Sequence, residues 1–258
     1  MRSLFSHVAV GLLTAIAMLF IFSMIQRHEM QSTDNVTLNA KVATNAAEEI
    51  KTATAATALH NYQPRTFDFT TIHGLTKSQL EQHEKLYQGY VKKRNEIEKA
   101  LHQVNKDEVA ASYAPFRSLK VAETFSFNGA LLHELYFDNL GGTQKEMGPK
   151  TRALLTKNFG SVDAFKKDIL ATAGCARGWV MTGFCIADNS VANFLLDAHN
   201  ETVPVLVLPI LMIDTYEHAY MIDFGINRPE YLKVMWDNIN WLVVEERVEK
   251  WVNKFYQQ

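Results

Sequence analysis

The residues best suited to chemistry lie near the C-terminal end, in Asp214-Thr-Tyr-Glu-His218-Ala-Tyr. A carboxylate and an imidazole stand four residues apart there, directly after the apolar run 205–213, which reads as a buried strand. Two metal ligands would thus emerge together from the floor of a core. Two further imidazoles, His83 in Gln82-His-Glu-Lys-Leu-Tyr-Gln-Gly-Tyr90 and His133 in Leu131-Leu-His-Glu-Leu-Tyr-Phe137, lie in strongly helical surroundings. Three imidazoles and one carboxylate would make a redox-capable iron or manganese site. Each residue also has a plainer reading. A lone histidine on an apolar helical face is ordinarily a satisfied core residue, and Asp214 with His218 equally fits a buried hydrogen bond. The position of Asp214 weighs against the plain reading, because a carboxylate at the end of a buried strand is costly to desolvate unless a cation or donors meet it.

The elements that must position these groups follow from periodicity and punctuation. Thr76 is a candidate N-cap, and Gln79 three residues on completes a capping box. The helix it opens runs to about Gln103, with Leu80, His83, Tyr87, Tyr90 and Val91 on one face. A second long helix covers roughly 115–140, carries Phe125, Leu132, Tyr136 and Leu140 inward, and stops at Gly141-Gly142. Shorter helices are expected near 148–158 and 162–172, the latter capped by Ser161. Apolar runs at 178–186, 191–196 and 205–213, parted by Asp188-Asn-Ser and Asn200-Glu-Thr, read as three strands, the first two a hairpin. Helices resume at 231–239 and 242–255. The fold class is therefore α+β: an N-terminal antiparallel helical hairpin followed by a three-stranded antiparallel sheet wrapped by helices.

The N-terminus differs in kind. Residues 8–25 form an uncharged apolar run of 18, at the lower edge of what spans a bilayer, with Arg2 before it and Arg27-His28 after. It reads as a signal-anchor over 1–28; a removable signal peptide competes, although Ser23-Met-Ile-Gln-Arg is a poor cleavage site. Either way the remainder is expected to be exported, to a periplasmic or other extracytoplasmic location. Residues 29–64, rich in alanine and threonine, read as a stalk or linker, and Asn35-Val-Thr matches a short glycosylation pattern of little weight. A helical-hairpin domain over 65–145 and an α/β metal-binding domain over 146–258 complete the expected organisation. A net charge of −2 gives no basic footprint for nucleic acid. Cys175 and Cys185 read as small buried thiols; a disulfide is the alternative in an oxidising compartment.

Taken together, these motifs resemble the iron/manganese superoxide dismutase family. The tail Asp214 to Tyr220, followed by Asn227-Arg-Pro-x-Tyr231 and Asn240-Trp241, looks like its signature. The Phe127-Asn-x-Ala-x-x-His133-x-x-Tyr-Phe137 helix, Gly160-Ser-x-x-x-Phe-Lys and Gly178-Trp fit the same order, so the resemblance covers about 62–254. It implies His83, His133, Asp214 and His218 as ligands to one iron or manganese ion per subunit. It implies superoxide as substrate, disproportionated to oxygen and hydrogen peroxide by a metal cycling between +3 and +2. Tyr90 matches the gateway tyrosine over the open face of the metal, and Trp179 and Tyr216 match its aromatic wall. Glu217 and Tyr220 match a contact across a homodimer, where the glutamate bonds a ligand histidine of the other subunit.

The chain departs from the family pattern in places. Tyr90 follows His83 by seven residues where the family usually has eight; Gln82 would restore eight, but a neutral amide is a poor ligand. Tyr87 stands where many relatives carry a second histidine. The glutamine usually set against the metal-bound solvent is missing: its helical position is Gly129, and Asp197-Ala-His-Asn-Glu-Thr-Val-Pro204 in the sheet segment contains none. His199 is the natural substitute there, a catalytic candidate beside Tyr90. Met181 and Tyr216 stand where the family carries tryptophans. An alternative is a membrane-tethered metal-binding relative with little dismutase activity.

Overall fold

The structure is a computed structural model and describes Thr44 and residues 59–252. The apolar segment 8–25, the Asn35 pattern, the linker before Leu59 except Thr44, and the last turn expected at 253–255 lie outside the described residues. Among the described residues no helix is long and apolar enough to cross a membrane. Leu59–Gln258 is one compact unit of the chain.

Helices α1 (Lys77–Gln103) and α2 (Pro115–Asp138) form the hairpin. Leu80, His83, Tyr87 and Val91 recur at three- and four-residue spacing, and all are buried. Burial of each large apolar side chain on this stripe contributes roughly 1.5–3 kcal/mol. The antiparallel register is set by facing pairs: the Arg94 guanidinium lies 4.3 Å over the Phe127 ring, and the rings of His83 and His133 are 5.1 Å apart. Gly141 and Gly142, both at positive φ, turn the chain out of α2. Helices α3 (Pro149–Phe159) and α4 (Val162–Cys175) follow, and Ser161 caps α4 by accepting from Ala164 N at 3.0 Å.

Strands β1 (Trp179–Cys185), β2 (Ser190–Leu196) and β3 (Val207–Asp214) make an antiparallel sheet in the order β2-β1-β3. β1 is buried along nearly its whole length, since it lies in the middle and helices cover it. The register pairs Trp179, first in β1, with Asp214, last in β3. After β3 come a 3₁₀ turn (Glu217–Ala219), α5 (Met221–Phe224), α6 (Arg228–Asp237) and α7 (Trp241–Arg247), continued by a wider π-helical turn (Val248–Val252). The expected α+β architecture is the one observed.

Four polar clamps hold this frame. Asn139, fully buried at the end of α2, donates to Met212 O and accepts from Met212 N, which ties α2 to β3 two residues before Asp214. The buried Arg247 guanidinium donates to Asn139 Oδ1, Ile210 O and Leu135 O; burial pushes its pKa down to about 10, so it stays charged at neutral pH. At the start of the unit, Tyr62 exchanges two hydrogen bonds with the Asn95 amide, and Arg65 forks onto Asp138 at 2.6 and 2.9 Å. Cys175 and Cys185 are free thiols, and neither is buried as the sequence reading had it: Cys175 ends α4 at the surface and is exposed, and Cys185, last in β1, is half-buried.

Candidate metal centre

The four ligand candidates arrive from four elements. His83 comes from the buried stripe of α1, His133 from the facing stripe of α2, Asp214 from the end of β3, and His218 from the 3₁₀ turn. One donor atom from each lies within 4.8 Å of all the others. Metal–ligand bonds of about 2.1 Å put opposite donors roughly 4 Å apart, so the cluster is sized for a single ion. His83, His133 and Asp214 are shut off from solvent, and only the His218 side chain is partly exposed, at 27%.

The hydrogen bonds among these groups test whether an ion fits. His83 Nε2 and His218 Nε2 lie 3.0 and 3.2 Å from Asp214 Oδ2. His133 behaves differently. Its Nδ1 stands 2.5 Å from Gly129 O and must donate to it, which leaves the lone pair on Nε2. That Nε2 is buried with no hydrogen-bond partner and faces Asp214 Oδ2 at 3.8 Å. A lone pair opposed to a carboxylate in a dry core is repulsive, and a cation between them reverses the sign. Charge states agree with this. Burial pushes His83 and His133 below their ordinary range, so both are neutral ligands at neutral pH. Burial works against ionisation of Asp214, but His218 and His83 outweigh it and hold the carboxyl far below the usual carboxylate range.

Further bonds orient the anionic ligand. Tyr216 N donates to Asp214 Oδ1 at 2.9 Å, and Tyr231 OH donates to Asp214 O at 2.7 Å. Tyr231 lies in the Asn-Arg-Pro-x-Tyr motif, but its contact was not legible in sequence, because it depends on where α6 sets this hydroxyl relative to the end of β3.

Around the ligands stands a wall of rings. Trp179 meets His133 edge-on at 4.9 Å, Tyr90 lies 5.2 Å from His133, and Tyr216 stacks on His218 at 5.1 Å. His199 is buried among Tyr90 (4.7 Å), Phe125 (4.5 Å) and Tyr216 (5.1 Å). Trp179 Nε1 donates to His199 Nδ1 at 2.9 Å. An indole nitrogen only donates, so neutral His199 carries its proton on Nε2, which is buried and has no protein acceptor. Burial pushes the His199 pKa down to about 4, and burial, then Tyr216 and Asp214, push Tyr90 up to about 12. Both are therefore neutral proton donors at neutral pH.

Other expected positions separate clearly. Gln82 is exposed and turns back to Ser78 Oγ at 3.1 Å, so the ligand on α1 is His83 despite the seven-residue spacing to Tyr90. Tyr87, where a second histidine was noted as usual, is fully buried and bonds Glu134 at 2.9 Å. The capping box is half formed. Thr76 Oγ1 accepts from Gln79 N at 3.2 Å, but the Gln79 side chain leaves the cap, and Asp223 Oδ2 takes Thr76 N at 2.6 Å instead. Glu217 is exposed beside His218, and Tyr220 is buried with its OH accepting from Arg228 Nε at 3.2 Å. A cleft of about 470 Å³ lined by Arg177, Tyr216, Glu217, His218 and Arg228 opens on His218.

Comparison with known proteins gives this arrangement a family. The sequence model for the C-terminal domain of iron/manganese superoxide dismutases matches residues 147–247. An iron superoxide dismutase of Aquifex aeolicus (strain VF5) is 37% identical over 198 residues, 74% of this chain and 93% of that protein. One from Aquifex pyrophilus is 39% identical over 184 residues, 69% and 86% of the two chains. The mitochondrial manganese superoxide dismutase 2 of Caenorhabditis elegans is 26% identical over 215 residues, 81% and 95%.

Proposed function

The chain belongs to the iron/manganese superoxide dismutase family, and from that premise we propose that it disproportionates superoxide to oxygen and hydrogen peroxide. The observation that carries the proposal is the His133 Nε2 lone pair, buried without a hydrogen-bond partner and aimed at Asp214 within a three-histidine, one-carboxylate cluster. Three imidazoles and one carboxylate are hard-to-borderline donors that suit iron or manganese.

His83, His133, His218 and Asp214 would hold the ion. A bound iron or manganese ion would supply a one-electron couple between +3 and +2, the redox chemistry that disproportionation of superoxide requires. The remaining work falls to the protein. Two superoxide anions and two protons give one oxygen and one peroxide, so protons must reach a site walled by rings. Tyr90 Oη and His199 Nε2 are two groups there that can present a proton, and the Trp179 bond fixes the second in the donating tautomer. Trp179, Tyr216 and Phe125 limit bulk water around the ligands. Arg177 and Arg228 line the cleft above His218 and favour an approaching anion.

The same proposal covers setting and assembly. The charge-free run 8–25 supports an exported protein, periplasmic or extracytoplasmic, held at a membrane by its N-terminal segment. Glu217, exposed beside ligand His218, with Tyr220 three residues on, supports a homodimer built across this face. The deciding experiment is elemental analysis of the purified chain with superoxide consumption measured on the same sample. About one iron or manganese per chain with rapid consumption is expected. Metal-free protein that cannot be loaded, or loaded protein without activity, would overturn the proposal.

A further inference from the structure

Gln79 is 1% exposed and lies one helical turn before His83, on the same face of α1. Its side-chain amide reaches across the core to the segment carrying the fourth ligand. Nε2 donates to His218 O at 2.6 Å, and Oε1 accepts from Ile222 N at 3.1 Å. We propose that Gln79 is a positioning residue for the metal centre, acting through His218 by fixing that ligand's backbone against the helix that carries His83.

Three observations converge on this role. His218 is the one ligand with a partly exposed side chain, at 27%. It sits in a three-residue 3₁₀ turn whose N-cap, Tyr216, makes no side-chain capping bond, so local structure holds it weakly. The Gln79 amide spans the turn, gripping the carbonyl of His218 and the N–H of Ile222, while Asp223 takes Thr76 N and Oγ1 at 2.6 Å each. The turn is thus stitched to α1 at two levels, and the inner stitch lands on a ligand. The chemistry needs a carboxamide. A carboxylate would set oxygen lone pairs against the His218 carbonyl, and a thioether offers neither donor nor strong acceptor. Buried as it is, the site gives water little access as a substitute partner.

The inference rests on reading the cluster as a metal site, and the test separates the two. Metal-free full-length wild type, Gln79→Met and Gln79→Glu are titrated with manganese(II), and the electron paramagnetic resonance spectrum of the bound ion is recorded. Asn238→Ala is the control. Asn238 is also a buried amide clamp, bonding His73 N and O, and it touches no ligand. Both Gln79 variants should bind manganese roughly 10–100-fold more weakly, the usual loss for a group that orients a ligand, with an altered spectrum. The control should lose stability yet keep wild-type affinity and spectrum once folded. Gln79 variants that bind as wild type does would refute the inference, as would an equal loss in the control. If Gln79→Met does not fold, Gln79→Glu, similar in size and still an acceptor for Ile222, decides by the same outcomes. Wild type that takes up no manganese or iron would refute the metal reading itself.

Discussion

Gly129 leaves the space that the ring of Tyr90 fills: a Cβ there would stand 2.6 Å from Tyr90 Cδ1. Gly129 also supplies the carbonyl to which His133 Nδ1 donates, so one residue admits the Tyr90 ring and orients His133. In Gly129→Ala the gain of about 1 kcal/mol in helix propensity opposes an overpacking cost of about 1–3 kcal/mol, and the ring must move. Superoxide turnover should fall while bound metal stays near the wild-type amount. Metal analysis and rate measurement on one sample check this, and unchanged turnover would contradict the account.

The Trp179–His199 bond makes a second expectation. Trp179→Phe keeps the aromatic wall but frees His199 Nδ1, so the Nε2–H tautomer is no longer imposed. Turnover should drop, and His199→Ala should lower it further, by roughly 10–100-fold. Metal content should change little in either. Full turnover in His199→Ala would remove this imidazole from the mechanism.

His133→Ala and Asp214→Ala should both abolish metal retention and activity, because each removes a donor for which the core offers no replacement. Gln82→Ala, one residue from His83 but facing solvent, should leave both properties unchanged. Metal content after dialysis against a chelator distinguishes them. A metal-depleted Gln82→Ala would reopen the choice of ligand on α1.

Glu245 governs stability away from the centre. Its carboxylate accepts from Lys150 N (2.9 Å), Thr151 N (2.8 Å) and Thr151 Oγ1 (2.5 Å), meeting the free N–H groups and positive end of α3 from another helix. Burial works to raise its pKa, but these donors outweigh it and leave the carboxyl below its ordinary value. The folded pKa is thus lower than the unfolded one. The stabilisation is present above the unfolded value, roughly pH 4.3, and is lost as pH falls through the folded one. Glu245→Ala should cost about 1.5–3 kcal/mol at neutral pH, and its deficit against wild type should shrink below about pH 4. Denaturant unfolding of the metal-free proteins at both pH values measures it; a deficit independent of pH would show that the carboxylate charge is not what acts.

Local signals in the sequence carried much of this structure. Ser161 and Thr76 announce their helices through side chains that act within three residues, and apolar runs parted by polar turns mark the strands. Asp214 was legible because an acid at the end of an apolar strand has few other uses. Contacts between distant segments were not legible. Thr76-x-x-Gln79 has the form of a capping box, yet Gln79 finds its partners 139 and 143 residues away. Gln82 and His83 differ by about 100° on a helix; the spacing from Leu80 to Val91 already set His83 on the inward face, and packing against α2 bears this out. Nothing local to Arg247 marks its burial, which follows from backbone carbonyls of α2 and β3 and the Asn139 amide meeting at one point.

The paired Tyr62–Asn95 bonds and the Arg65 fork onto Asp138 lie close to the start of the unit Leu59–Gln258. Tension arriving along the chain from upstream would be taken up at these links, shared between both hairpin helices, before it could draw on the liganding histidines.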